Sequence, residues 1–247
     1  MKKEHYVPEL LRFQLGNAKL PVTTLTLSMR AGYTCPGADK CFALVAKGKI
    51  KEKEKKEGHF RCFAASAEAR HPSVYEAHLR NERLLKACTS QGEMEALIDA
   101  SLKGEKRSWN KFRHGVSGDF YSDEEFRAWM NVARRRPSKV FYAYTKSLRV
   151  WVENKHYVPA NFVLTASKGG KDDRLIAEHG LKYAEVVFSV EHAAKLGLEI
   201  DHDDSHAWRD SLPFALLLHG TQPKGSEAAK ALSALKALGH KGYSKKR

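Results

Sequence analysis

The 247-residue sequence has few cysteines and no long apolar run. Four cysteines are too few for a disulfide-stapled scaffold of this length, so we expect a reducing compartment. No stretch approaches the about 18 consecutive apolar residues of a membrane span, and we therefore expect no membrane partner. The opening "MKKEHYVPELLRF" has no apolar core of a secretion signal, which predicts a cytoplasmic protein.

Two common phosphate-binding motifs are also missing. The sequence contains neither a G-x-G-x-x-G turn nor a P-loop. These glycine-rich turns bring the backbone close to a pyrophosphate in dinucleotide-binding and P-loop proteins. Their absence excludes nucleotide binding of those two usual kinds.

Positive charge is what the chain has in excess. It carries 43 Lys and Arg against 29 Asp and Glu, a net charge of +14. Such a balance favours a polyanionic partner, with nucleic acid first, although a merely basic surface is the alternative. We expect one α/β domain over residues 1–247, with a charged flexible insertion at about 46–59 and a frayed basic tail at about 240–247. The sequence does not indicate the oligomeric state.

Strand and helix patterns alternate through the second half of the chain. Helices begin at the N-caps Ser122, with Glu125 at the capping-box position, and Ser226, whose helix ends at Gly239. The alternation predicts parallel strands with right-handed crossovers, in a partial (βα)6 TIM-like barrel or, alternatively, an open doubly wound sheet. In both folds the site lies at the carboxyl ends of the strands. The predicted strands lie within VTTLTLSM, FRHGVSGDF, KVFYAYTKS, NFVLTAS, AEVVFSV and FALLLHG.

Three cysteines gather near the N-terminus. Five residues separate Cys35 from Cys41, and twenty separate Cys41 from Cys62. This spacing lacks the tight cysteine pairs of a structural zinc site. Three thiolates after the first strand of a barrel favour a [4Fe-4S] cluster, while zinc and inert buried cysteines stay open. Cys88 falls on the apolar stripe of a predicted helix and is expected to be structural, unless it completes the cluster as a fourth ligand.

Several longer strings resemble known families. YTCPGADKC, FRCFAASAEAR, VSGDFYS, FYAYTKSL, LTASKGGK, IDHDDSHA and LLLHGTQPKGS together resemble a family of tailed-phage proteins, notably of marine cyanophages, over about residues 22–235. This resemblance implies a viral protein in the cytoplasm of the infected host cell. More distantly, the chain is similar to the radical S-adenosylmethionine (SAM) enzymes, which combine a βα barrel, a three-cysteine loop and a glycine-containing acidic turn.

The radical-SAM resemblance implies a set of site residues. Cys35, Cys41 and Cys62 would be the cluster ligands. The turn of Ser117, Gly118 and Asp119 would hold the amino group of SAM, and Asp119 would be a catalytic candidate.

A second polar cluster competes for the chemistry. The string IDHDDSHAW concentrates aspartate and histidine between Asp201 and His206. Oxygen and imidazole ligands of this kind suit a divalent metal, which beside a cationic surface suggests phosphodiester hydrolysis. A polar loop whose aspartates cap a turn is the structural alternative. Asp203 and His206 are the candidates for acid–base catalysis.

Two further loops are candidates for phosphate recognition. Ser167, Lys168 and Lys171 lie in the loop TASKGGK after a predicted strand, where N–H groups and cations could hold an anion. His219 and Lys224 precede the N-terminus of the last helix. Ser167 and His219 are assigned to the cofactor, and the three lysines to a nucleic-acid backbone.

The patterns together favour a viral [4Fe-4S] protein with a radical-SAM-like fold that binds nucleic acid and modifies it, with SAM as the second cofactor. Two other classes stay open. One is a metal-dependent nuclease centred on the cluster from Asp201 to His206. The other is a non-enzymatic DNA-binding protein in which the cluster is only structural.

Overall fold

Alternating strands and helices give a mixed α/β structure, which confirms the predicted class. The computed structural model describes residues 9–17, 20–53, 56–209 and 211–240. Within these residues the strands are β1 (Gln14–Leu15), β2 (Thr24–Thr26), β3 (Ala43–Ala46), β4 (Lys49–Glu52), β5 (Lys111–His114), β6 (Val140–Thr145), β7 (Phe162–Ser167), β8 (Tyr183–Val187), β9 (Glu199–Ile200) and β10 (Phe214–Leu217). Each of the six predicted strand segments overlaps one of them.

The helices begin where side-chain caps satisfy their first N–H groups. Ser122 Oγ accepts from Glu125 N at 3.2 Å, and Ser226 Oγ accepts from Ala229 N at 3.1 Å, as the sequence predicted. In the same described residues the helices are α1 (Phe63–Arg70), α2 (Pro72–Ala87), α3 (Gln91–Gly104), α4 (Asp123–Arg134), α5 (Leu148–Glu153), α6 (Arg174–Glu178), α7 (Val190–Lys195), α8 (Ser205–Arg209) and α9 (Glu227–Ala237), with a 3₁₀ turn at Lys155–Tyr157. None of them combines the length and apolar character needed to cross a bilayer.

Eight of the strands form one sheet in the order β1-β2-β5-β6-β7-β8-β10-β9. All neighbours pair in parallel except β1 and β2, which are antiparallel. Six of the parallel strands, from β2 to β10, follow one another in chain order across the sheet. The edge strands β1 and β9 are not paired with each other in the described residues, so this is not a closed barrel.

The two faces of the sheet carry different side chains. Phe112 and Phe141 are register partners that pack with Trp129 of α4 in the main apolar core. The next pair in register, Arg113 and Tyr142, points to the other face because strand side chains alternate. We call this second face the inner face of the sheet. Tyr142 packs there against the short helix α8. The inner face is therefore polar in part.

The charged segment that we expected to be a flexible insertion contains regular structure. Strands β3 and β4 form an antiparallel hairpin, which corrects that expectation for residues up to Glu52. Its inner side packs in an apolar cluster with α1, in which Ala43 and Ile50 take part. The high lysine content hid this alternation in the sequence. Residues 54–55 and the tail beyond His240 lie outside the described residues.

Cys88 lies at the C-terminal cap of α2, where it packs against the main core. Its thiol donates to Leu84 O at 3.4 Å. This position agrees with the structural role expected for it.

Candidate functional site

A cavity of about 150 Å³ opens at the carboxyl edge of the parallel strands. The loops after β2, β5, β6 and β10 contribute to its lining, and so does Ser167, the last residue of β7. The lining includes Cys35, Cys41, Cys62, Ser117, Gly118 and Asp119. The structure therefore brings the three cysteines and the glycine-containing turn to one place.

The loop that carries Cys35 and Cys41 is fastened to the ends of β6 and β7. Gly37 lies so close to the backbone of Lys146 that a Cβ atom on it would be 1.9 Å from Lys146 O. Lys171 N donates to Gly37 O at 2.9 Å, and Lys40 N donates to Gly169 O at 3.0 Å. These main-chain contacts fix the position of the two thiols over the carboxyl edge.

Cys62 reaches the cavity as the N-terminal cap of α1. Burial, and then the nearby charge of Cys41, raise the pKa of the Cys62 thiol to about 12, although the N–H groups of Ala65 and Ala64 bond to it and oppose the rise. Burial also raises the pKa of Cys35 well above its ordinary value, with smaller contributions from Asp119 and Cys62. Both thiols are therefore neutral at pH 7 when no metal is bound.

The three cysteines face one cavity without meeting at one point. Among the described residues, no group of three His, Cys, Asp or Glu side chains is placed to hold a single metal ion. The structure thus offers no ready-made mononuclear site of the zinc type at Cys35, Cys41 and Cys62.

The side chain of Asp119 accepts three hydrogen bonds from protein donors. Its Oδ1 accepts from Thr145 Oγ1 at 2.6 Å and from Phe120 N at 2.7 Å, while Oδ2 accepts from Lys146 N at 2.7 Å. Burial raises its pKa despite these hydrogen bonds. Asp119 therefore ties the loop after β5 to the loop after β6.

Ser117 and Gly118 join the same turn to the cysteine loop. Ser117 Oγ donates to Glu68 Oε1 at 3.2 Å, and that oxygen also accepts from Ala31 N at 2.9 Å and lies 2.8 Å from His78 Nδ1. Gly118 has φ +82°, and a Cβ on it would lie 2.5 Å from Thr34 Oγ1. The turn consequently meets the cavity through its backbone more than through its side chains.

Ser167 and His219, the two cofactor candidates, also line the cavity. Lys146 Nζ donates to Ser167 Oγ at 2.5 Å and to Ser167 O at 2.8 Å, so a buried cation lies beside this serine. The His219 ring packs on Phe63 with 4.7 Å between ring centroids. Ser167 is thus held by Lys146, and His219 forms an aromatic wall.

Four lining residues with polar side chains were not singled out from the sequence: Arg61, Arg113, Tyr144 and Lys146. Arg61 forms a bidentate ion pair with Glu52 of the hairpin, at 2.9 Å for both contacts. Lys146 directly follows strand β6, and this position was the signal that could have identified it. The positions of Arg61, Arg113 and Tyr144 in the lining depend on the register of the sheet or on pairing with residues that are distant in the sequence.

The proposed phosphate-binding lysines lie outside the cavity and differ in their surroundings. Lys168 Nζ pairs with Glu185 at 2.7 Å, and hydrogen bonding to this carboxylate, against the effect of burial, raises the lysine pKa. Lys171 Nζ donates to Pro36 O at 2.6 Å. Lys224 is exposed before α9. The structure does not gather the three lysines on a common surface pocket.

The segment from Asp201 to His206 lies outside the cavity lining. Asp203 Oδ1 accepts from Ser205 N at 3.1 Å, as a turn-capping aspartate does, and His206 Nε2 lies 3.2 Å from Glu199 Oε2. Asp201 is buried, and burial raises its pKa. Asp203 and His206 are therefore not brought to the three cysteines.

Asp204, in the same segment, is buried and accepts hydrogen bonds from side chains on the inner face of the sheet. It has φ +65°, and its Oδ2 accepts from Arg113 Nη1 at 2.5 Å and from Tyr142 OH at 3.2 Å. Tyr144 OH donates to its other oxygen at 3.2 Å. Arg113 and Tyr144 line the cavity, so their hydrogen bonds to Asp204 hold these two lining side chains in place.

Comparison with known proteins gives one match. The family model "Gene product 88" matches residues 8–236, most of the chain. No curated protein and no solved structure matches. The match agrees with the phage-type family expected from the strings. The chain therefore belongs to the gene product 88 family, a family of phage-type proteins.

Proposed function

We propose that this protein is a [4Fe-4S] enzyme with a radical-SAM-like partial barrel, which binds nucleic acid and modifies it in the cytoplasm of the infected cell. SAM would be its second cofactor. The strand order and the donor set at the cavity support the cluster, and the net charge of +14 supports a polyanionic partner such as nucleic acid.

The observation that carries the proposal is the position of three cysteines on one cavity, at the carboxyl edge of consecutive parallel strands. A doubly wound sheet reverses its strand order at a switch point, which is where its ligand binds. Here six strands run in chain order without a reversal. This order favours the partial barrel over the doubly wound alternative.

The donor set suits an iron–sulfur cluster better than a single ion. Each thiolate of a cluster binds a different iron, so Cys35, Cys41 and Cys62 need to share a cavity but need not meet at one point. Soft thiolate ligands are also the type that selects such a cluster. Since burial keeps Cys35 and Cys62 protonated, loading would release protons from these thiols.

The chain's own residues would position the second cofactor. When bound, the cluster and SAM together would supply the radical chemistry. The backbone of the Ser117–Asp119 turn would face the amino group, because the Asp119 carboxylate already accepts three hydrogen bonds. The aromatic pair Phe63 and His219 would exclude water from one side of the cavity. Lys146 would supply positive charge beside Ser167.

Anaerobic purification tests the cluster directly. We expect a brown protein with about four irons per chain. Cys35→Ser should abolish the colour, whereas Cys88→Ser is the matched control and should leave it, because Cys88 packs against the main core away from the cavity. A colourless, zinc-loaded or metal-free protein from strictly anaerobic cells would refute the proposal.

Titration with SAM tests whether the cluster is catalytic. We expect millimolar SAM to change the electron paramagnetic resonance spectrum of the reduced cluster, and Gly118→Val to remove the change, because a side chain there meets Thr34. If SAM does not change the spectrum of the iron-loaded protein, the cluster is structural and the protein is a nucleic-acid-binding protein.

A further inference from the structure

The β3–β4 hairpin presents a row of lysines to solvent. Lys47, Lys49 and Lys51 are all exposed, and the alternation of strand side chains puts Lys49 and Lys51 on the same face. None of the three forms an ion pair or a side-chain hydrogen bond with another residue in the described ranges. We call this surface the hairpin lysine face.

The hairpin is a rigid support for these charges. Lys47 and Gly48 both have positive φ, +50° and +71°, as a two-residue type I′ turn requires. On the opposite side, Tyr33 OH donates to Val45 O at 3.1 Å, and Glu52 pairs with Arg61. The lysines are thus fixed to the body of the protein.

The same hairpin lies beside the candidate site. Its Ile50 belongs to an apolar cluster that includes Cys62 and Phe63, and both of these line the cavity. Arg61, which Glu52 holds, also lines it. The hairpin that carries the lysine face therefore contacts residues of the cavity lining.

Two other lysines near the cavity have protein partners. Lys168 is paired with Glu185, and Lys171 is bonded to a carbonyl oxygen. A groove between the hairpin and α9 has nearly balanced charge, since its cations, Lys40, Lys53, Lys56 and Arg61, face the carboxylates Glu52, Glu57 and Glu227. The hairpin lysine face, in contrast, groups three exposed lysines that have no ion pair within the described ranges.

We infer that the hairpin lysine face binds the phosphate backbone of a single-stranded nucleic acid and holds the strand next to the cavity. The inference rests on the nucleic-acid partner of the proposed function. Lysine ammonium groups act as point charges without the planar fork of arginine, so the contact would be to backbone phosphates and largely independent of base sequence.

Fluorescence anisotropy with a labelled single strand of about 20 nucleotides tests the inference. The variant Lys47→Asn/Lys49→Gln/Lys51→Gln removes the three charges, and Asn tolerates the left-handed conformation at 47. We expect at least about tenfold weaker binding at low salt. The slope of log K against log salt should flatten by about 2, because each phosphate that a lysine neutralises on a single strand contributes about 0.7 to it.

The matched control removes three other exposed lysines. Lys103, Lys106 and Lys155 precede strands β5 and β7 and so lie at the amino edge of the sheet. Their triple change to Gln alters the net charge equally and should leave both affinity and slope near the wild-type values. A Lys→Arg triple variant of the hairpin should keep its affinity, which separates charge from folding effects.

The outcomes distinguish the inference from the proposed function. Unchanged binding by the neutral hairpin variant, or an equal loss in the control, would overturn the inference while the nucleic-acid partner stands. No binding by wild-type protein at low salt would overturn both the inference and the nucleic-acid part of the proposal. Iron content and the SAM response are measured on the same preparations and report on the cluster alone.

Discussion

Gly37 provides a sharp test of how the cysteine loop is held. The residue is buried against the end of β6, and its backbone is outside the left-handed region, so alanine is conformationally acceptable there. A Cβ atom would nevertheless lie 1.9 Å from Lys146 O and 3.0 Å from Ser147 N. Gly37→Ala therefore creates a steric clash and no other change.

The clash must be relieved by the cysteine loop. Lys146 N donates to Asp119, and Ser147 Oγ donates to Phe120 O at 2.6 Å, so the end of β6 is fastened from behind. The loop carrying Cys35 must retreat by about 1 Å to restore a tolerable contact. Overpacking of this kind costs about 1–3 kcal/mol, and the smaller chain entropy of alanine in the unfolded state offsets about 0.4–1 kcal/mol. We expect a net destabilisation of about 1 kcal/mol.

Urea unfolding followed by circular dichroism measures this cost, and iron analysis after anaerobic purification measures its effect on the site. We expect the iron content of Gly37→Ala to fall by more than about half, because ligand geometry tolerates little displacement. Gly92→Ala is the control: Gly92 lies in the first turn of α3, with only one atom, at 3.9 Å, near its Cβ position. That variant should be slightly more stable than wild type. Wild-type stability and iron content in Gly37→Ala would refute the close packing of the loop.

Three further substitutions test the supports of the cavity. Glu68→Ala should lower the free energy of unfolding by about 3 kcal/mol in urea titrations, because Glu68 is an acceptor for three groups, and Glu68→Gln should cost less because it keeps one acceptor oxygen. Asp204→Asn should cost about 2–3 kcal/mol in the same assay, since it removes the negative charge facing the half-buried Arg113 while Asn tolerates the positive φ; an unchanged stability would show that the pair contributes nothing. Burial would raise the pKa of Glu82, but hydrogen bonds, first from Arg30, outweigh it and keep that pKa low. The carboxylate thus stabilises the fold above about pH 4.3, and the advantage of wild type over Glu82→Gln should shrink as the pH falls below that value; a difference that is constant with pH would contradict this.

The strands were predictable because their signal is local. Runs such as KVFYAYTKS combine β-branched and aromatic residues between turn residues, and β6 (Val140–Thr145) lies inside that run. The convergence of loops followed from topology: carboxyl ends of parallel strands share an edge, and Ser117, Ser167 and His219 indeed lie together there with the cysteines.

The remaining site residues depend on long-range contacts that no local pattern contains. Arg113 alternates with core residues on β5, and its inward direction depends on sheet register. Asp119 looked like a free ligand because the sequence does not show that Thr145 and Lys146 occupy its carboxylate. The hairpin was missed for a different reason, because its lysine-rich composition indicated a solvated segment. One apolar residue of β4, Ile50, nevertheless packs this strand against the protein.

The consecutive strand order also has a consequence for how the protein folds during its synthesis on the ribosome. From β2 to β8, each new parallel strand pairs with one already synthesised, so the sheet can grow outward as the chain emerges. Strand β9 breaks this sequence of events, because its partner in the sheet, β10, is made after it and must enter between β8 and β9. The far edge of the sheet, and with it the β10 side of the cavity, can therefore close only after Leu217 has left the exit tunnel.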